Sequence, residues 1–330
     1  MSTPGNGGSS AALTTVVITG VGVLVPGADS PESLLAGPPA GAPAIDPAAL
    51  VGKKGLRFKD RATQLAYCLA QAALRDTGLL GTDGLAVPGE SVGVVASSNF
   101  GNLDTVARAL DTIRSQTVSA TSPMDLPNAS SNVVASSTAI RFGLRGPNLM
   151  VCNGATSGLD ALHWGATMIT SGRADRVLVI GVEPDNEVVR RLLGDGRTGV
   201  DGGAAVVLER HAAARDRSAR VRAVYRGYAM TRDVRSCVAS LAARGAANTA
   251  PARWHAPAGD LPDDLLPGVP RDGFGPGLGE ASGALGVLQA AAATGWFDGG
   301  GSGSVYAVAT AGPAGSASGV ALLAPTGSHG

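Results

Sequence analysis

The segment from Leu149 to Gly172, LMVCNGATSGLDALHWGATMITSG, has the pattern of a buried strand, a tight turn and a helix. A short apolar run at 149–151 predicts the strand, and Asn153 and Gly154 interrupt it. Apolar residues then recur at the spacing of one helical face, at Leu159, Leu162, Ala166 and Ile169. The segment therefore predicts a strand–turn–helix unit.

The two ends of this helix carry separate signals. Thr156 or Ser157 is predicted to cap its start by accepting a hydrogen bond from a backbone N–H of the next turn. Gly172 is predicted to end it, because glycine tolerates the left-handed conformation. Free N–H groups and the helix dipole favour negative charge at the turn before such a helix. A cysteine placed there would be a good thiolate nucleophile.

The composition limits the class of protein. A chain of 330 residues can bury most of its apolar surface in a sizeable core. It has 26 Lys and Arg residues and 26 Asp and Glu residues, and this zero net charge argues against a nucleic-acid partner. No apolar run approaches the length of a membrane span. Residues 1–13 lack a basic start and an apolar core, so we interpret them as a disordered leader rather than a signal peptide.

The three cysteines, Cys68, Cys152 and Cys237, do not have the spacing of metal ligands, and the sequence predicts neither a metal site nor a cofactor. A sparse, odd number of cysteines is typical of the reducing cytoplasm, which is the predicted location. Cys68 falls on an apolar helical face and Cys152 ends the buried strand. Both are therefore predicted to pack in the core.

Buried strands alternate with helices along the first two thirds of the chain, which indicates a mainly parallel sheet covered on both faces. The predicted strands are Val16–Leu24, Ser91–Ser97, 149–151, Arg176–Glu183 and Asp201–Arg210. The predicted helices, besides the one after the turn, are Arg61–Leu79, Thr105–Ile113 and Ser131–Phe142. Pro26–Lys54 and Pro123–Asn128 are predicted to be loops because they are rich in breaking residues.

The strand–turn–helix unit resembles the nucleophile elbow of β-ketoacyl synthases, whose pattern is Cys-x-Ser-Gly followed by this helix. Ser157 and Gly158 match that pattern, and the family's cysteine falls on Ala155. Further stretches resemble the same family: DRATQLAYCLAQAALRDTGL at 60–79, GLRGPN at 143–148, GLGEASGALGVLQAAAATGW at 277–296 and VYAVATAGPAGSASGVALLAP at 305–325.

The resemblance implies the thiolase fold, an α/β architecture layered αβαβα with two pseudo-symmetric halves around a buried helix pair. The expected divisions are the leader at 1–13, an N-terminal ketosynthase-like half at 14–212 and a C-terminal half at 213–330. The second half is shortened, because only Val234–Asn248 stands before the region that resembles the family's first catalytic histidine.

The family's catalytic machinery is one cysteine and two histidines, and this chain departs from it. Ala155 cannot form a thioester. The histidine positions fall on His255 and Glu280, and an anionic Glu280 would repel an enolate rather than stabilise it. Whether His255 is a surface residue without function or a remnant of the triad is left open. No catalytic residue is therefore expected.

A known inactive relative fits this pattern, namely the chain-length factor, the β subunit of type II polyketide synthase heterodimers. The resemblance implies an active ketosynthase α subunit as partner, and an acyl carrier protein that delivers the chain on phosphopantetheine. It also implies a dimer interface near 123–152, with Leu126, Met150 and Val151 as candidates. The helix expected to close the chain pocket presents Thr105, Val106, Ala109, Leu110, Thr112 and Ile113.

Three alternatives remain. A malonyl-thioester decarboxylase would work without the cysteine but would still need the histidine donors, and Glu280 counts against it. An acyltransferase would use Cys152 or Ser157 as the nucleophile. An engineered cysteine-to-alanine change in an active enzyme would leave the second histidine in place, and Glu280 argues against that as well.

Overall fold

The computed structural model describes residues 14–244, 250–257, 259, 261–311 and 315–325, together with the backbone but not the side chain of Pro276. Twelve strands are described, and their bounds are β1 Val16–Leu24, β2 Leu80–Gly81, β3 Gly84–Leu85, β4 Val92–Ser97, β5 Asn148–Val151, β6 Arg176–Glu183, β7 Gly202–Arg210, β8 Ala223–Thr231, β9 Arg253–His255, β10 Arg271–Asp272, β11 Ser304–Thr310 and β12 Ala317–Leu323. The five strands predicted in the first two thirds of the chain are confirmed to within one residue at each end.

Ten α-helices are described, with the bounds α1 Pro31–Ala36, α2 Pro47–Val51, α3 Arg61–Asp76, α4 Leu103–Ser115, α5 Val133–Phe142, α6 Ser157–Thr170, α7 Glu187–Leu193, α8 His211–Asp216, α9 Val234–Arg244 and α10 Leu285–Asp298. The prediction that 26–54 is only loop was wrong. Ser30 and Asp46 each accept a backbone hydrogen bond as N-caps, and a proline follows each cap, so α1 and α2 start there. No helix in the described ranges has the length and apolar character needed to cross a bilayer.

The strands form two sets with the same topology. In the N-terminal set the order is β5-β4-β6-β7-β1, and in the C-terminal set it is β10-β9-β11-β12-β8. In each set the fifth strand along the chain runs antiparallel to both of its neighbours, and the other pairs are parallel. The two sets meet where Val16–Ile18 of β1 pairs with Ala223–Tyr225 of β8.

The helices α6 and α10 form the central layer, because each contacts strands of both sets. They approach so closely that a Cβ atom on Gly158 would lie 2.7 Å from the backbone nitrogen of Gly286. Helices α3 and α5 cover the other face of the N-terminal set, and α9 covers that of the C-terminal set. The layers therefore read αβαβα, and the predicted thiolase fold is confirmed.

The structure does not test the predicted domain limits. The leader at 1–13 lies outside the described residues. The proposed division after residue 212 falls within α8, and it stays a prediction. The C-terminal set spans 223–323, much less chain than the N-terminal set at 16–210, with α9 as the helix between β8 and β9.

Candidate functional site

The turn between β5 and α6 forms the elbow that the sequence predicts. Strand β5 ends at Val151, and Gly154 then takes a positive φ of 69°. Ala155 stands at the tip of this turn, and α6 begins two residues later. Its methyl side chain cannot act as a nucleophile, and its equivalence to the family's cysteine stays a prediction.

The predicted cap of α6 was wrong. Thr156 occupies the N-cap position but does not accept from the next turn; its hydroxyl donates to the Asn153 carbonyl at 3.0 Å and to the Asp160 carboxylate at 3.0 Å. Ser157 accepts from the backbone N–H of Asn153 at 2.5 Å and donates to the Gly154 carbonyl at 2.7 Å. Both hydroxyls close the turn itself. The predicted end of the helix is confirmed, because Gly172 has a φ of 73°.

Asn99, which follows β4, binds the elbow to the loop before α10. Its amide nitrogen donates to the Gly154 carbonyl at 2.9 Å and to the Ser282 hydroxyl at 2.8 Å. Its amide oxygen accepts from the Gly154 N–H at 3.1 Å. The Asn99 amide therefore binds both the N–H and the carbonyl of Gly154 in the elbow.

A buried carboxylate, Glu183 at the end of β6, holds the backbone of Asn99 by a hydrogen bond. It accepts from the backbone N–H groups of Asn99, Phe100 and Gly283 and from the Ser98 hydroxyl. Burial raises the pKa of Glu183 to about 7, and these donors oppose that shift. The carboxylate thus joins the end of β4 to the loop before α10.

A second carboxylate, Asp160 in the first turn of α6, joins the elbow helix to the C-terminal set. One oxygen accepts from the Tyr228 hydroxyl on β8 at 2.7 Å and from the Ser318 hydroxyl on β12 at 2.7 Å. The other accepts from Thr156 and from the Asn153 amide. Four donors therefore satisfy this buried side chain, which fixes the start of α6 between the two sets.

Glu280, which the sequence resemblance predicts at the position of the family's second histidine, forms an ion pair with Arg197. The residue is also held by its backbone, because its N–H donates to the Thr198 carbonyl at 2.8 Å and its carbonyl accepts from the Val200 N–H at 3.1 Å. An ion-paired carboxylate is an acceptor, so it supplies no proton or hydrogen bond to an enolate. Through Ser282 and Asn99 this loop reaches the elbow.

His255, the other predicted position, ends β9 and is buried, with 2% of its surface exposed. The alternative that it is a surface histidine was therefore wrong. Its ring stacks on Phe274 with the centroids 5.9 Å apart, and neither ring nitrogen has a hydrogen-bond partner among the described residues. Burial and the nearby Arg253 lower the pKa of His255 to about 4, so the ring is neutral at pH 7.

The cysteines depart from the sequence prediction at one position. Cys68 and Cys237 are buried, whereas Cys152 is exposed, so its predicted core packing was wrong. Cys152 directly follows β5, which lies at the edge of the sheet and has a neighbour on one side only among the described strands. The thiol lies 3.1 Å from the Ser98 carbonyl, and partial burial together with Glu183 raises the pKa of Cys152. A thiol with a raised pKa is a poor source of thiolate.

The α4 residues predicted to line the chain pocket do not share one environment. Thr105 is buried, while Ala109 and Thr112 line a small cavity with Thr121 and Leu126. Val106 is half-buried, and Leu110 and Ile113 point to solvent in the isolated chain. Their role in a pocket stays a prediction.

The predicted interface residues Met150 and Val151 lie in β5, which pairs with β4 on one side and with none of the described strands on the other. They line a groove of about 780 Å³ that continues onto Trp164 and Met168 of α6. Leu126 lies apart from this groove and is 58% exposed. An unpaired strand edge beside an apolar groove is a surface suited to another chain.

Comparison with known proteins bears out the resemblance that the sequence indicates. Residues 42–193 match the family model for the β-ketoacyl synthase N-terminal domain. Together with the thiolase fold, this match confirms the predicted resemblance to β-ketoacyl synthases.

Two curated relatives illustrate the range of the family. The chain is 27% identical over 264 residues to 3-oxoacyl-[acyl-carrier-protein] synthase 2 of Coxiella burnetii, over 66% of this chain and 63% of that one. It is 32% identical over 203 residues to the tetracenomycin polyketide synthase ketoacyl synthase alpha subunit of Streptomyces glaucescens, over 52% of this chain and 46% of that one. The chain thus spans about half the length of such relatives.

Solved structures show the same fold. The ishigamide ketosynthase/chain length factor matches with a TM-score of 0.75 at 22% identity, over 94% of this chain and 99% of that one. A type II PKS ketosynthase in complex with its acyl-carrier protein matches with a TM-score of 0.79 at 15% identity, over 94% and 99%. At these identities the likeness concerns the fold.

The buried state of His255 leads to a testable pH dependence. Because the folded chain holds its pKa near 4, against a normal value of 6.5, the unfolded chain binds a proton first as the pH falls. Stability should therefore fall between pH 6.5 and 4, by up to about 3 kcal/mol at 1.36 kcal/mol per pKa unit. The variant His255→Leu should lack this loss of stability, since leucine has no group that binds a proton in this pH range.

Thermal unfolding of both chains across this pH range provides the measurement. Glu183 contributes equally to both chains, so their difference isolates His255. Parallel curves for the two chains would show that His255 is charged or hydrogen-bonded in the folded protein.

Proposed function

We propose that this chain is a catalytically inactive ketosynthase-like subunit that pairs with an active ketosynthase. In this proposal it shapes the pocket of the growing polyketide chain and thereby sets chain length in type II polyketide biosynthesis. The observation that carries the proposal is Ala155 at the tip of the elbow. A fold that keeps the whole elbow and lacks its nucleophile is suited to a structural partner rather than to acyl transfer.

The surroundings of Ala155 support the proposal independently of that residue. Asn99 and Ser282 are hydrogen-bonded across the elbow, and Glu280 is neutralised by Arg197. Condensation needs preorganised donors for an oxyanion and a carbanion. The ion-paired Glu280 carboxylate only accepts hydrogen bonds, so it supplies no such donor.

The two enzymatic alternatives meet specific obstacles in the structure. A decarboxylase would need a donor where Glu280 stands. An acyltransferase using Ser157 would need a general base, but the Ser157 hydroxyl is bonded to backbone groups of the turn and to the Asn99 amide oxygen. Cys152 has a raised pKa, and it directly follows β5, three positions before Ala155.

The proposed partner surface is the free edge of β5 with its groove. A partner strand would satisfy the backbone groups that face outward from β5, and the apolar side chains of the groove would be covered at the same time. In the proposed assembly the partner is the active ketosynthase α subunit, and an acyl carrier protein delivers the chain on its phosphopantetheine arm. Co-expression with an active ketosynthase α subunit, followed by affinity purification, tests this assembly, with a stable one-to-one complex as the expected result.

The first prediction of this proposal concerns acyl transfer. Incubated with an acyl carrier protein loaded with an acyl group, the chain should gain no mass in intact-mass spectrometry, because Ala155 has no nucleophile. Ala155→Cys alone should still give no condensation product, because Glu280 leaves the developing negative charge without a donor. An adduct on the unmodified chain that disappears in Cys152→Ala or Ser157→Ala would refute the inactive-subunit proposal.

A second prediction concerns association. Met150→Asp should abolish the complex, because it buries an unpaired charge in an obligate interface of roughly 2,000 Å² or more. Trp164→Glu should weaken it too, and this side chain is 49% exposed in the chain alone, so its replacement spares the fold. Met230→Asp is the matched control, since Met230 is 59% exposed and lies on β8.

Size-exclusion chromatography of the co-expressed pair is the measurement. Normal co-elution of both Met150→Asp and Trp164→Glu with the partner would place the interface elsewhere.

A third prediction concerns chain length. Ala109→Phe should fill the cavity beside α4 and shorten the product while the complex stays intact. Each lost two-carbon unit gives up roughly 1.6 kcal/mol of burial, at about 0.8 kcal/mol per CH₂. Ala107→Phe is the control on the same helix, because Ala107 faces Asn186 and Glu187 instead.

Product masses from the reconstituted synthase decide this point. An unchanged length distribution with Ala109→Phe in an intact complex would show that α4 serves only as packing.

A further inference from the structure

A groove on the outer face of the N-terminal half is lined, among the described residues, by four cations and by no carboxylate. It lies between α2, α3, α5 and the β2–β3 turn, with a volume of about 700 Å³, and its charged residues are Lys54, Lys59, Arg75 and Arg141. We propose that this groove binds the phosphate group of a small phosphorylated molecule. The proposal goes beyond the proposed function and does not depend on it.

The charge of the groove is unusual for this chain. The whole sequence is neutral, with 26 cationic and 26 acidic residues, and its three lysines all fall within 53–59. Most arginines of the described ranges form ion pairs, but none of the four groove cations does so there. A cluster of uncompensated cations repels itself, so an anion bound among them is favoured.

Two of the cations are held in place before any ligand arrives. The Arg141 guanidinium donates to the backbone carbonyls of Lys54 at 3.0 Å and Val51 at 2.9 Å, and it lies 4.6 Å from the ring centroid of Tyr67. The Lys59 ammonium donates to the Ser137 hydroxyl at 3.0 Å. Because these side chains are already ordered, binding costs less conformational entropy than at free surface lysines.

The other two cations are free to close on a ligand. Lys54 and Arg75 are exposed, and their side chains donate no hydrogen bond within the described part of the chain. Three carboxylates adjoin lining residues in the sequence, namely Asp60, Asp76 and Asp83, but none of them is part of the lining. The groove therefore offers two fixed and two adjustable donors.

The number of donors favours a phosphate over a carboxylate. A phosphate monoester carries about −1.5 to −2 charges near pH 7 and has three strong acceptor oxygens, whereas a carboxylate carries one charge. The apolar part of the wall, with Ile140 at 83% exposure beside Phe142 and Leu80, suits the organic portion of such a ligand. A concave volume within the range of about 300–1,000 Å³ is that of a small-molecule site.

The test uses the full chain, with inorganic phosphate and pyrophosphate as probes and acetate as the anion control. All probes are compared at one ionic strength, so that general screening does not contribute. Phosphate or pyrophosphate should raise the melting temperature in proportion to binding, and acetate should not. The double variant Lys54→Gln/Arg75→Gln should bind at least about tenfold more weakly, which corresponds to about 1.4 kcal/mol.

The matched control is Arg114→Gln/Arg226→Gln, which removes two exposed arginines outside the groove. It should keep the affinity of the unmodified chain. The proposal is overturned if neither phosphate nor pyrophosphate shifts the melting temperature, or if the control loses affinity as the groove variant does. Binding of an acidic protein to the groove, without any binding of the two phosphates, would also overturn it and would make the groove a protein-docking site.

Discussion

Backbone contact between the two central helices is the constraint on which the other layers depend. At the crossing of α6 and α10, a side chain on Gly286 would place its Cβ atom 2.3 Å from the backbone nitrogen of Leu159. Only glycine permits this approach, and both strand sets pack against the helix pair that it creates. The elbow leads directly into α6. The helix crossing therefore helps to set the position of the elbow, together with the turn itself.

Two buried carboxylates, Glu183 and Asp160, also fix the position of the elbow. Glu183 collects three backbone N–H groups and one hydroxyl, and Asp160 collects donors from both strand sets. A buried charge is tolerated only when its oxygens are satisfied, and removing one partner is costly. These two residues therefore resist rearrangement of the elbow. The turn keeps its shape although Ala155 has no reacting group to present.

The sequence alone predicts most of the fold because its signals are local. The apolar runs of β1 and β6, and the helical spacing of α6, need no distant partner to be recognised. The repeated strand order and the site contacts depend on long-range pairing instead. Asn99 follows an ordinary strand, and nothing in its neighbourhood indicates that it reaches Ser282, which is 183 positions away. The burial of His255 and the Arg197–Glu280 pair were hidden for the same reason.

The two strand sets span unequal lengths of chain. The C-terminal set reproduces the strand order of the N-terminal set although β9 and β10 contain only three and two residues. Its outer face is covered by α9 and by side chains of the loop that includes Leu261 and Leu265. Within this set β8, β11 and β12 make the main contacts with the central helices. The elbow, the open edge of β5 and the cationic groove all lie in the longer half, and its helices and connecting segments form them.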